Sequence, residues 1–183
     1  DQPAPAPVTT IGVVPWIRNE RAATVGLKTT SYAENVVALA AAKSVGGTEA
    51  IFANGAGDLC EGTGSNIFVI RDGVVWTPPL EAGPLAGITR ALTIEWCREE
   101  GLEVREEAMP LSVLAEADEA FLTSSTRDVQ AIGAVRVVPA QQTLAGDLPA
   151  VDLADRDLGT EPGPVTTRAA EIFARLGRER MDP

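Results

Sequence analysis

Apolar and polar positions along the chain repeat with two periods. Runs rich in β-branched and apolar residues at Thr9–Arg18, Glu49–Ala53, Ser65–Arg71 and Val74–Thr77 predict strands. The last two are joined by Asp72-Gly73, a strong hairpin signal. Pro15, which cannot donate to a ladder, predicts an edge position or a bulge in the first run. Ala33–Val45, entered through Ser31 as N-cap and stopped by Gly46-Gly47, predicts a helix with Val36, Val37, Leu39 and Ala40 on its buried side. Gly87–Glu100, closed by Gly101, predicts a second helix.

Further on, Leu102–Ala108 reads as a strand, and Leu111–Ala117 as a short helix entered through Pro110. Glu119–Leu122 is a strand leading into the hydroxyl-rich turn Thr123-Ser124-Ser125-Thr126. Val129–Ile132 and Val135–Val138 are two more strands, Gly159–Gly163 a loop, and Pro164–Leu176 a terminal helix. Strands and helices mingle without strict βαβα alternation. The expected class is therefore α+β, with a mixed, largely antiparallel sheet packed with helices.

The 183 residues suit one domain rather than two. Composition narrows the chemistry. There is no histidine, which removes Ser-His-Asp and Cys-His catalysis and every zinc site that depends on imidazole, so no metal site is expected. A net charge of −11 repels phosphate backbones and anionic membranes, so neither nucleic acid nor membrane is an expected partner. Cys60 and Cys97 are too few for a disulfide framework, although a single bridge stays open, and a reducing, cytoplasmic setting is expected. The opening Asp-Gln-Pro-Ala-Pro-Ala-Pro reads as an extended linker rather than a signal peptide, which predicts a fragment of a longer protein.

Candidate chemistry gathers at four places. Lys28 and Lys43 are the only lysines. Lys43, late in a helix, suits the dipole. Lys28 follows Val25-Gly26-Leu27 and precedes Thr29-Thr30-Ser31, a strand-end position where partial desolvation would favour a nucleophilic amine; a plain surface lysine is the alternative. Cys60-Glu61-Gly62-Thr63-Gly64-Ser65-Asn66 offers a carboxylate beside glycines that admit a ligand to the backbone, or an ordinary loop. Gly87-Ile88-Thr89 opens a helix whose free amides favour an anion. Thr123-Ser124-Ser125-Thr126 brings four hydroxyls to one turn. A reactive amine, a carboxylate and two neutral anion-binding stretches are the set that a pyridoxal phosphate enzyme requires.

Four ordered motifs carry a resemblance: G-L-K-T-T-S-Y, E-G-T-G-S-N-I-F, T-P-P-L-E-A-G-P-L-A-G-I-T-R and A-D-E-A-F-L-T-S-S-T-R-D-V-Q-A-I. Here the sequence resembles the class IV aminotransferase family, the fold-type IV pyridoxal phosphate enzymes that include branched-chain and D-amino acid aminotransferases and aminodeoxychorismate lyase. The resemblance implies the D-amino acid aminotransferase-like fold, a homodimer and pyridoxal 5′-phosphate as cofactor. Carried over by motif, Lys28 is the Schiff-base lysine and proton carrier, and Glu61 the partner of the pyridinium nitrogen. Ile88, Thr89 and Ser125 would bind the phosphate. Ser124 shares that turn, and Thr126 would meet the substrate carboxylate. Asn66 and Tyr32 would belong to the cofactor shell, although Tyr32 departs by one residue from the branched-chain spacing.

The resemblance also implies that residues 1–18 are interdomain linker and first strand, and that residues 19–183 are the C-terminal cofactor domain. A small N-terminal domain would be absent, and with it the family's phosphate-binding arginine. The implied activity is amino-group transfer between an amino acid and a 2-oxo acid. Pyruvate elimination from aminodeoxychorismate to give 4-aminobenzoate is the alternative, and a non-catalytic homologue a third reading.

Overall fold

In the computed structural model, which describes residues 6–140, 142, 143, 146–148 and 150–180, the alternating segments assemble into one mixed sheet. Its strands are β1 (Val8–Arg18), β2 (Glu49–Asn54), β3 (Leu59–Gly62), β4 (Asn66–Arg71), β5 (Val74–Thr77), β6 (Val104–Glu106), β7 (Glu119–Ser124) and β8 (Asp128–Val137). A small ribbon, β9 (Gln142–Thr143) and β10 (Gly146–Asp147), and a two-residue strand β11 (Arg156–Asp157) follow. The helices are α1 (Ala33–Ser44), α2 (Ile88–Glu99), α3 (Val113–Glu116) and α4 (Pro164–Arg180).

The order across the sheet is β3-β2-β1-β8-β7-β4-β5-β6, with β11 against β8. β1 is parallel to β2 and β8, and β5 to β6. The other neighbours in this sheet are antiparallel, as an α+β chain with several hairpins requires.

The two-residue alternation of β4 shows how the sheet divides its core. Ile67 and Val69 join Ile11, Val13, Leu122 and Leu114 on one face. Phe68 and Ile70 join Phe121, Trp96 and Phe173 on the other, under α2 and α4. Phe68 and Phe121, adjacent in register, stack with ring centroids 4.7 Å apart. A third cluster, with Val14, Phe52 and Ala50, seats α1.

Several expectations need correction. Pro15 does not mark an edge: β1 is central, and its register against β2 shifts between Val13 and Ile17, so the bulge alternative holds. α1 is preceded by Tyr32 without a side-chain cap, so Ser31 lies one residue too early to be the N-cap. Its buried residues are Ala38 and Ala42, whereas Val36 and Val37 are 64% and 56% exposed. The cause is close approach: a Cβ on Gly12 of β1 would stand 2.6 Å from Ala42 Cβ, a distance only the small face of the helix permits.

The two strands expected at 129–132 and 135–138 are one. Gly133 continues β8 because its missing side chain admits the 158–159 segment, whose amides donate to Gly133 O. β3 was not anticipated; its short, half-polar sequence becomes a strand by pairing with β2. Both cysteines are buried and unpaired, so the bridge left open does not form. Among the described residues no helix is long and apolar enough to cross a membrane.

Candidate active site

A cavity of about 610 Å³ opens where the ends of β1, β3 and β7 meet the start of α2. The 19–32 connection, the Gly62–Ser65 turn, the 83–89 segment and the Thr123–Ser125 turn form its walls.

Glu61, near the end of β3, is the best-held polar group in it. Its Oε1 accepts from Arg18 Nε at 3.0 Å and its Oε2 from the Leu85 amide at 2.9 Å. Arg18 ends β1, lies 4.2 Å over the Phe52 ring and also donates to Glu34 Oε2 at 3.0 Å. Burial pushes the Glu61 carboxyl above its ordinary range, against the Leu85 amide and Arg18, which favour the charged form; the nearby charge of Glu49 adds to the rise.

Asn66, buried at the start of β4, donates to Leu85 O at 2.9 Å. Gly87 is needed beside it, because a Cβ there would fall 2.2 Å from Asn66 Oδ1. The segment that enters α2 is thus held by Glu61 through its Leu85 amide and by Asn66 through the Leu85 carbonyl. α2 starts after Gly87 with no side-chain cap, leaving its first amides without intrahelical acceptors. Ile88 and Thr89 both line the cavity. Ser124 and Ser125 line it from the β7–β8 turn. Beside them Thr123 Oγ1 is buried without a hydrogen-bond partner among the described residues.

Lys28 lies in the 19–32 connection, a succession of turns closed by Ala22 N to Asn19 O, Val25 N to Ala22 O and Leu27 N to Thr24 O. It lines the cavity but is exposed. The expected partial desolvation is therefore not found in this chain, because the wall that carries the lysine is open to solvent. Tyr32, 43% exposed, lines the same side. Thr126 is not in the wall; its hydroxyl lies 3.3 Å from Ser124 Oγ. Lys43 sits in the last turn of α1, outside the lining. No group of three or more acidic or sulfur ligands that could hold a metal occurs among the described residues.

Sequence reasoning missed Arg18, Glu34, Glu49 and Arg127. Arg18 closes an apolar strand, a polar end that could have been questioned. Glu49 gave no signal, since the first residue of a strand is an ordinary place for glutamate.

Residues 1–135 match the family described as amino-transferase class IV, and the chain belongs to that family. It is 33% identical over 105 residues to a branched-chain-amino-acid aminotransferase of Escherichia coli, covering 57% of this chain and 34% of that protein. It is 34% identical over 114 residues to a D-alanine aminotransferase of Bacillus licheniformis, covering 62% and 38%. A branched-chain amino acid aminotransferase of Thermobaculum terrenum, solved in its PLP form, superposes with a TM-score of 0.77 at 28% identity, covering 94% of this chain and 52% of that one. The chain spans about a third of the length of the curated relatives it matches.

Proposed function

We propose that the chain is the cofactor-binding part of a pyridoxal 5′-phosphate-dependent aminotransferase, which moves an amino group between an amino acid and a 2-oxo acid. The observation that carries this reading is convergence: Lys28, the paired carboxylate of Glu61 and the donors of Ile88, Thr89, Ser124 and Ser125 all line one cavity. The donor set suits the cofactor, with one amine, one buried carboxylate and neutral N–H and O–H groups. The unpartnered Thr123 hydroxyl beside the Ser124-Ser125 turn fits a wall that still lacks an acceptor. When bound, the cofactor supplies an aldehyde for condensation with amines and a conjugated ring that spreads charge away from the substrate Cα.

The chain's own groups divide the remaining work. Lys28 Nζ would be the amine that holds the aldehyde and, when free, the base for the substrate Cα proton. Glu61 would hold a proton at the ring nitrogen, and Arg18 with the Leu85 amide favours the charged form of that carboxylate against its burial. The first amides of α2, the Thr89 hydroxyl and Ser125 receive the phosphate. Asn66 and Tyr32 would belong to the cofactor's surroundings, and Ser124 to the phosphate-side turn.

Residues 19–183 are read as the larger C-terminal domain and residues 1–18 as linker and first strand. A smaller N-terminal domain and a second copy of the chain complete the walls. Exposed apolar residues on the lining, Leu27 at 64%, Tyr32 at 43% and Ile88 at 77%, support a further covering surface. The two unpaired thiols suit a cytoplasmic setting.

Borohydride reduction with pyridoxal 5′-phosphate, followed by intact mass and peptide mapping, tests the reading. One adduct per chain on Lys28 and none on Lys43 is expected, and Lys28→Ala should abolish it. An adduct divided between the two lysines overturns the assignment. Consumption of an amino donor only in the presence of a 2-oxo acid then checks the transfer itself.

A further inference from the structure

Glu49, the first residue of β2, is 3% exposed and belongs to no role given above. Its carboxylate is nonetheless densely engaged. Oε1 accepts from the Thr63 amide at 3.0 Å and from the Thr63 hydroxyl, and Oε2 accepts from Ser65 Oγ at 3.0 Å. The guanidinium of Arg127 stands 3.7 Å from Oε2. Arg127 in turn donates to Gln130 Oε1 at 2.5 Å and to Thr48 O at 3.2 Å. The Gly62–Ser65 turn is packed onto the carboxylate so closely that a Cβ on Gly62 would meet Glu49 Cγ at 3.0 Å.

The partners of Glu49 belong to two separate turns that border the cavity. Thr63 and Ser65 line it from the β3–β4 turn, next to Glu61. Arg127 ends the β7–β8 turn, whose Ser124 and Ser125 line it from the other side. No hydrogen bond or ion pair joins Arg127 directly to residues 62–65 among the described residues; Glu49 is the common partner. A buried carboxylate is costly unless hydrogen-bonded and paired, and here its bonds are spent on joining two loops rather than on one element.

We propose that Glu49 is a positioning residue of this site: beside the β4–β7 pairing, which sets Asn66 against Thr123, it ties the Gly62–Ser65 turn to the Thr123–Arg127 turn through Arg127, and so fixes the Ser124-Ser125 side of the cavity against the Glu61 side. That the Ser124-Ser125 side of the tie serves a phosphate rests on the cofactor reading above; the tie itself does not.

The signature of a tie is that cutting it on one side loosens the other. Amide hydrogen exchange on the unliganded full chain, wild type against Arg127→Met, reads this directly. Exchange should rise about tenfold at residues 62–65, which Arg127 does not bond, as well as at 123–127. Glu49→Gln should loosen both turns, and Arg127→Lys should restore most of the protection. Loosening confined to 123–127 overturns the proposal.

A second readout separates positioning from mere stability. The ratio of affinities for pyridoxal 5′-phosphate and for pyridoxal should fall about tenfold in Glu49→Gln and in Arg127→Met, equivalent to about 1.4 kcal/mol at the phosphate. Both variants should still give the Lys28 adduct at saturating cofactor. An unchanged ratio with a normal adduct overturns the positioning role. If the wild type itself forms no adduct on Lys28, the cofactor reading has failed, and hydrogen exchange alone decides the tie.

Discussion

Glu61 and Lys28 face one cavity from walls of different construction. Glu61 stands on a strand, its side chain 13% exposed, with a separate donor on each oxygen. Phe52, its partner in register on β2, is fully buried. Lys28 stands on a connection of consecutive turns in which most residues are exposed. The carboxylate half of the site is thus organised before any ligand arrives, because its geometry is inherited from the sheet. The amine half takes its geometry mostly from local turns, anchored at Glu20, which accepts from the Gly55 amide at 2.9 Å.

The contrast can be broken most severely from below. Phe68→Ala removes half of the Phe68–Phe121 stack on β4, the strand that brings Asn66 to the organised wall, and should cost about 3–5 kcal/mol of unfolding free energy in urea titration. A loss near that of a surface substitution would mean the floor is not rigid.

Gly12→Ala strikes the seat of α1. The added methyl meets Ala42 Cβ at 2.6 Å and Ala42 Cα at 2.7 Å, so helix or strand must move, at a cost of about 1–3 kcal/mol. A Tm equal to wild type would show that α1 floats on the sheet.

Glu61→Gln sharpens the comparison through pH. An acid whose pKa is raised in the folded state binds a proton on folding, so its contribution to stability declines as pH rises through the window that opens at its ordinary value of 4.5. The variant lacks this decline. Its stability relative to wild type should therefore improve as pH is raised from 4 upward, and a difference that is flat with pH would contradict the burial of a charged Glu61.

The smallest effects belong to the open side. Lys28→Ala and Val36→Ser should each leave the unfolding free energy within about 0.5 kcal/mol of wild type, since both side chains are exposed. A larger loss at Lys28 would place it in a built wall after all, and would erase the contrast.

Much of the fold was readable from local pattern. Val74–Thr77 occurs as a strand with the bounds expected, and Asp72-Gly73 takes the positive φ values of 49° and 76° that an Asp-Gly hairpin turn adopts. α2 begins at Ile88 after Gly87, and Gly101, just past its end, has a φ of 83°. The residues proposed for the cofactor were also readable, because motif order places them whatever the details of packing.

The misses share one cause. α1 was given a valine face by hydrophobicity alone, yet Gly12, on a strand well before the helix in sequence, demanded alanine at Ala42. Arg18, Glu49 and Arg127 escaped notice because each acts on a partner 14 to 79 residues away in sequence.

Periodicity, capping and turn chemistry are properties of neighbouring residues, so the chain's order of residues is enough to specify most of its elements and the family to which it belongs. Which face a helix buries, whether a proline bulges a central strand and how a buried carboxylate joins two loops depend on backbones brought together from distant stretches. Steric exclusion and the need to pair every buried charge act only at that meeting, and there the tertiary structure decided them.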